Sequence, residues 1–274
     1  MVPNLSSRIF FSFVGLTFEF DCRDDVTEFL ISKNFGDNDS GSDVGGPAYC
    51  LQKTDDGFLI EDLDGTVEIA ATDGAFLYAI EKKLTVDAQL RRQDLYFVHG
   101  GVLRSRAGAF ILSGESGAGK STLTWALVHN GFEYLSDELA PIDLDRFSVH
   151  PYPHAICLKD EPPVPYNLPI GILRTSRTFH VPVESIPSRA CREKQPLRLL
   201  FFVRYDPAVS EPRIVPISPM EGAGRLFSNT LNSLAHAGHG LEQAVSIAKN
   251  CECFTITSAS AERTCLALKR IVSI

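Results

Sequence analysis

Eight consecutive residues, Gly114-Glu115-Ser116-Gly117-Ala118-Gly119-Lys120-Ser121, satisfy the pattern G-x-x-x-x-G-K-[S/T]. Glycines let backbone N–H groups converge on phosphate oxygens with no side chain in the way. A helix that starts where the loop ends adds the positive end of its dipole. The pattern therefore predicts a phosphate cradle formed by Gly114, Ser116, Gly117, Ala118, Gly119, Lys120, Ser121 and Thr122, with Lys120 on an exposed loop. Lys120 would reach the β- and γ-phosphates as a point charge, and the Ser121 hydroxyl can ligate Mg²⁺. ATP and Mg²⁺ are the cofactors expected on this ground. Glu115 is out of keeping, since a carboxylate repels phosphate unless it points away or helps hold metal, and its role is open.

A second group of reactive side chains follows. Phe132–Leu135 reads as a strand that delivers Ser136-Asp137-Glu138 at its end. Side chains alternate along a strand, so the two carboxylates cannot both face one way. They can still divide the work of phosphoryl transfer: one accepts the proton of an attacking hydroxyl, while the other binds Mg²⁺ directly or through water. A turn with two solvated acids is the plain alternative. His99, in His99-Gly100-Gly101, is either a structural histidine or one that orients or tunes the base.

The elements that must position these groups can be read from apolar spacing. Ala109–Leu112 is an apolar strand feeding the loop, and Thr122–Val128 continues as a helix stopped by Asn130-Gly131. Leu95–Val98 is a strand ending at His99-Gly100-Gly101. Leu199–Val203 is an unbroken apolar run and reads as a buried strand. Two amphipathic helices are expected near Pro219–Ala235 and Ala261–Ile271. Before residue 93 the pattern differs, with strands in the first 20 residues, at Phe58–Ile60 and at Thr66–Ala71, and helices around Asp25–Lys33 and Gly74–Arg92. Gly36–Asp43 is too polar and glycine-rich to pack and reads as a loop. The proline-rich stretch up to Pro169 cannot continue a helix or central strand. The boundary is expected near Gln93, giving a small N-terminal α+β domain over 1–93, of unknown role, and an α/β domain over 94–274.

Composition excludes several classes. With 44% hydrophobic and 22% charged residues the chain can bury a core, and a net charge of −8 argues against nucleic acid or an anionic membrane as the main partner. No stretch approaches the ~20 apolar residues of a membrane helix, and no signal peptide is evident, so a cytoplasmic protein is expected. Seven scattered cysteines read as reduced thiols. His236 and His239 lack a further ligand at metal spacing. Arg174, Arg177 and Arg204 can pair with phosphate or carboxylate, and the sequence does not choose among them.

Val98–Gly101, Ser113–Thr122 and Gly131–Glu138 together resemble the kinase domain of the HPr serine kinase/phosphorylase family, and most of all its shorter HPr-kinase-related members. The likeness covers roughly residues 94–160 well and the remainder in outline. It implies a P-loop kinase domain of the HPr-kinase/phosphoenolpyruvate-carboxykinase type and ATP-dependent phosphorylation of a serine. In that case Lys120 and Ser121 take nucleotide and metal roles, Asp137 is the base, Glu138 supports metal or phosphate, and His99 neighbours the base. The family's acidic residue and following Arg-Gly segment are missing here, and Pro151–Lys159 stands instead. That departure argues against HPr itself as the substrate, and because some of the compact members it resembles phosphorylate ribosomally made peptides such as lasso-peptide precursors, the resemblance implies a peptide or protein serine as the leading acceptor; Lys159 is either a second phosphate contact or a surface lysine. Oligomers are common in the resembled family. A small-molecule or carboxykinase-like phosphotransferase and a nucleotide-sensing interaction module are the alternative functions.

Overall fold

The computed structural model describes residues 6–36 and 45–272. The expected loop at 36–43 lies, from Asp37 on, outside the described residues. The chain is a mixed α/β protein, its described residues forming three sheets, and it divides into two compact units. One unit runs to Ala88 and takes in His154–Glu161 and Leu168–Ser185, while the other holds Gln89–Pro153, Pro162–Asn167 and Ile186–Ile274. The expected division between residues 93 and 94 compares with a division after Ala88 here, and two segments of the expected second domain belong to the first unit.

In the first unit, β1 (Ser7–Phe13) and β2 (Leu16–Cys22) form a hairpin, and helix α1 (Asp25–Phe35) leads to β3 (Gly45–Thr54), which lies parallel to β2. The Asp24 carboxylate caps α1 by accepting from Val26 and Thr27 N–H, each at 3.0 Å. Then β4 (Gly57–Asp62) and β5 (Val67–Ala70) complete a five-stranded sheet in the order β1-β2-β3-β4-β5, and α2 (Asp73–Arg91) follows. Its core is aromatic: Phe11, Phe18, Phe20 and Phe35 are all buried.

The second unit begins with β6 (Leu95–Ser105), β7 (Gly108–Ser113), α3 (Lys120–Val128), β8 (Glu133–Ser136), β9 (Leu139–Asp143) and β10 (Ser148–Val149). Three short strands of the first unit come next, β11 (Ile156–Leu158), β12 (Leu173–Arg174) and β13 (Phe179–Val181). The second unit resumes with β14 (Gln195–Tyr205), β15 (Arg213–Ile217), α4 (Pro219–Phe227), α5 (Leu241–Lys249), β16 (Glu252–Ser258) and α6 (Ala261–Val272). Its sheet runs β10-β9-β6-β7-β14-β16-β15, with β14 parallel to both β7 and β16, and β10 also pairs with β14. Among the described residues no helix is long and apolar enough to cross a membrane.

Strand β6 departs from expectation: it continues through His99-Gly100-Gly101 to Ser105. The glycines belong inside the sheet because the backbones crowd there, where a Cβ on Gly100 would lie 2.6 Å from Leu112 O. The C-terminal helices depart too. Helix α4 stops at Phe227, well short of Ala235, and α5 is a separate helix.

His150 is buried in the second unit, its N–H donating to Pro141 O at 2.8 Å. Burial lowers its pKa to about 4, with Lys194 and Arg92 acting in the same direction against Asp143 and Asp94. The unfolded chain, with an ordinary histidine, protonates first as pH falls. Stability from neutral His150 is thus complete above pH ~6.5 and is lost as pH falls toward the folded value. Between pH 7 and pH 4 the wild type should lose on the order of 3 kcal/mol more than His150→Asn. Urea unfolding at both pH values checks this, because all other titrating groups are common to the two proteins, and equal losses would refute it.

Candidate functional site

The glycine-rich loop leaves the end of β7 and enters α3 directly. Gly117 and Gly119 have φ of 84° and 87°, the left-handed region that glycine tolerates best, and a Cβ at either would meet nothing within 4 Å. Glycine is needed at these two positions for backbone conformation. At Gly114, by contrast, a Cβ would strike Val203 O at 2.5 Å, so the loop is pressed against β14 at its root.

Lys120 is not on an exposed surface as expected. It is 7% exposed, and its ammonium donates to Gly114 O at 2.8 Å and Glu115 O at 3.1 Å. The helix start carries the charge back over the loop, where oxygen acceptors hold it. Ser121 and Thr122 follow in the first turn of α3, half-buried, while Glu115, Ser116 and Gly117 are exposed and Ala118 is half-buried.

The acidic pair follows the end of β8, as the sequence suggests, and a second strand, β9, resumes straight after it. Strands β8 and β9 both run antiparallel to β6, at Val102–Arg104 and Leu95–His99 respectively. They are collinear pieces of one path that keep a single register on β6 from Val102–Ser136 to His99–Leu139, the one register shift falling inside β8 at Leu135, and Asp137-Glu138 occupies the break between them. Ser136 Oγ bridges the break by accepting from Glu138 N–H at 3.3 Å and Leu139 N–H at 3.0 Å. As alternation requires, the two carboxylates diverge. Asp137 is 1% exposed, whereas the Glu138 side chain is 43% exposed.

His99 is brought to Glu138. Its Nδ1 lies 3.1 Å from Glu138 Oε1 and 3.2 Å from Glu138 O. A carbonyl oxygen only accepts, so Nδ1 carries the hydrogen, and in the neutral ring Nε2 is left with the lone pair. The backbone of His99 is fixed from both sides, with its N–H donating to Asn229 O at 2.9 Å and its carbonyl accepting from Ser113 Oγ at 3.1 Å.

One close approach registers loop, helix and acids together. A Cβ on Gly101 would lie 2.6 Å from Thr124 Oγ1 and 3.7–3.8 Å from Ser136 O and Asp137 O. Lys120 and Thr124 are four residues apart and share a face of α3, so this is the face that meets β6 and the Asp137 backbone. Neither Gly101 nor Thr124 carries a sequence signal for such a role.

Where β7 departs into the loop, β6 would lose its partner. Asn229–Asn232 takes that place, with Leu231 N–H donating to Phe97 O at 2.9 Å. The buried Asn232 amide imitates a strand, accepting from Phe97 N–H at 2.9 Å and donating to Leu95 O at 2.8 Å. Lys159, Arg174 and Arg177 belong to the first unit, and Arg204, at the end of β14, pairs with Asp206 at 3.0 Å. Among the described residues no group of three or more His, Cys, Asp and Glu could hold a metal ion. His236 instead packs on Tyr96, 5.3 Å between ring centroids.

No protein-family model matches the chain, and no curated protein matches it. Among solved structures, the Hpr(Ser) kinase/phosphatase from Coxiella burnetii is similar at 13% identity over 65% of this chain and 93% of that one, with a TM-score of 0.31.

The Gly101–Thr124 approach is testable. Gly101→Ala should destabilise the protein by about 1–3 kcal/mol through overpacking. Adding Thr124→Ala removes the obstructing atom and should restore part of the loss, a coupling of roughly 0.5–3 kcal/mol. A double-mutant cycle by thermal or urea unfolding measures it, and strictly additive losses would show that the two residues do not meet.

Proposed function

We propose that the second unit is an ATP-dependent kinase that transfers the γ-phosphoryl group to a serine hydroxyl of a peptide or protein, with a ribosomally made peptide such as a lasso-peptide precursor as the leading acceptor. The observation that carries this reading is Lys120. A buried ammonium folded back onto the carbonyls of a loop whose glycine corners are open is suited to phosphate oxygens.

The residues present fit ATP and Mg²⁺. Backbone N–H groups from Gly114 to Thr122 would hold the phosphate chain, and the Ser121 hydroxyl and the half-exposed Glu138 carboxylate would hold the metal. Bound ATP would supply the phosphoryl group, with Mg²⁺ neutralising its charge. Lys120 exchanges loop carbonyls for phosphate oxygens as its acceptors. Asp137, sheltered between β8 and β9, accepts the serine proton. His99 acts through Glu138, whose carboxylate and backbone carbonyl its Nδ1–H holds. Residues 94–274 would then contain the chemistry, with 1–93 outside it.

Lys120→Ala should abolish ATP turnover in a protein that still folds, and unchanged turnover would remove the loop from the mechanism. Asp137→Asn keeps size and most hydrogen bonds but cannot act as a base, so ATP affinity should persist while transfer falls by roughly 10²–10⁴-fold. Glu138→Gln should weaken Mg²⁺-dependent nucleotide binding together with the rate. Titration of ATP with Mg²⁺ and single-turnover transfer on both variants separate the roles. Lost binding in Asp137→Asn with near-normal transfer in Glu138→Gln would reverse the two assignments.

A further inference from the structure

A cavity of about 300 Å³ adjoins the loop within the second unit, at the lower end of the ~300–1,000 Å³ typical of small-molecule pockets. It is bounded by Gly119 and Thr122 where loop becomes helix, Val203 and Tyr205 at the end of β14, and Ile256 and Ala259 at the end of β16. Leu123 and Pro163 add to an apolar lining. Its polar wall is already internally bonded: Ser258 Oγ accepts from Ser260 N–H at 3.0 Å and from the Thr264 hydroxyl at 2.6 Å. Such walls suit a flat, largely apolar ring better than a charged group. Tyr205 is 53% exposed, so its ring is available to stack.

The sheet order gives the cavity its relation to the chemistry. In the run β9-β6-β7-β14-β16, β7 feeds the loop at the centre. His99, Asp137 and Glu138 lie on the β6 and β9 side, and the cavity lies on the β14 and β16 side. With neighbouring strands about 4.8 Å apart, a ligand laid across the loop would have its reacting end among the acids and its other end in the cavity. The loop–helix junction at Thr122 meets the phosphates farthest from transfer, because the lysine serves the β- and γ-phosphates and backbone N–H groups serve the α and β.

We infer that this cavity receives the nucleoside, heteroaromatic base and ribose together, of the triphosphate whose phosphate chain the loop holds. The inference rests on the phosphate-loop reading above and adds the source of selectivity for a nucleotide over a bare polyphosphate. Ala259 is exposed at the cavity's edge, so Ala259→Trp fills the cavity without entering the core, and Tyr205→Ala removes the stacking ring.

Calorimetric titration of the full chain with Mg²⁺–ATP and with Mg²⁺–tripolyphosphate tests the inference. The wild type should bind ATP at least tenfold more tightly than tripolyphosphate. Ala259→Trp should erase that margin while binding tripolyphosphate as the wild type does, and Tyr205→Ala should lose about tenfold for ATP alone. Unchanged ATP affinity in both variants, equal losses for both ligands, or a wild type with no preference for ATP would each overturn the inference while leaving the loop in place. A wild type that binds neither ligand would overturn the loop assignment itself. Circular dichroism melts establish that each variant is folded, and if the tryptophan disturbs folding, Tyr205→Ala decides alone.

Discussion

The groups at the candidate site all depend on how closely helix α3 approaches strand β6. With no side chain at Gly101, the Thr124 hydroxyl comes to where a methyl would sit, and the carbonyls of Ser136 and Asp137 line the same spot. That approach places the helix face bearing Lys120 over the break that contains the acids. A larger residue at position 101 would push the helix outward and carry the lysine with it. The glycines at 117 and 119 play a different part, since they shape the loop and press on nothing.

Strand β6 can serve as this platform because both of its edges are satisfied along its length. On one side lie β9 and then β8, with Ser136 holding the break together. On the other lies β7, until it turns away to form the loop, and from there Asn229–Asn232 takes over. An unpaired buried backbone group costs about 1–3 kcal/mol, so a loop springing from mid-sheet has to be replaced by something. Here the replacement comes from more than 100 residues downstream, 135 positions separating Phe97 from Asn232. The early strand and the late helix–turn segment are thus parts of one supporting structure.

What could be read from sequence follows the range of the interactions. The loop, its strand and its helix were legible because their glycines and apolar residues recur at fixed local spacing. Helix α6 was legible from its amphipathic period. Gly100 and Gly101 misled, since glycine reads locally as a break and only the tertiary neighbours Leu112 O and Thr124 Oγ1 reveal why it is required inside a strand. The end of α4 was illegible for a similar reason. Its period runs on, but Asn229 is needed by His99 and the helix must stop first. The cavity beside the loop left no signal, because Ser258-Ala259-Ser260-Ala261 has an unremarkable composition and acquires meaning only from where the parallel strands β14 and β16 end.

The far end of the second sheet bears on how copies of this chain can associate. Strand β10 is paired on both sides, by β9 and β14, while β15, at the other end of the strand order, has β16 as its strand neighbour among the described residues. An unpaired strand edge is a template for another chain, and proteins commonly blunt it with proline and charge. Pro216 lies within β15 and has no N–H to offer, and Arg213 places a charge at its start. Extension of this sheet by another chain is therefore discouraged at β15.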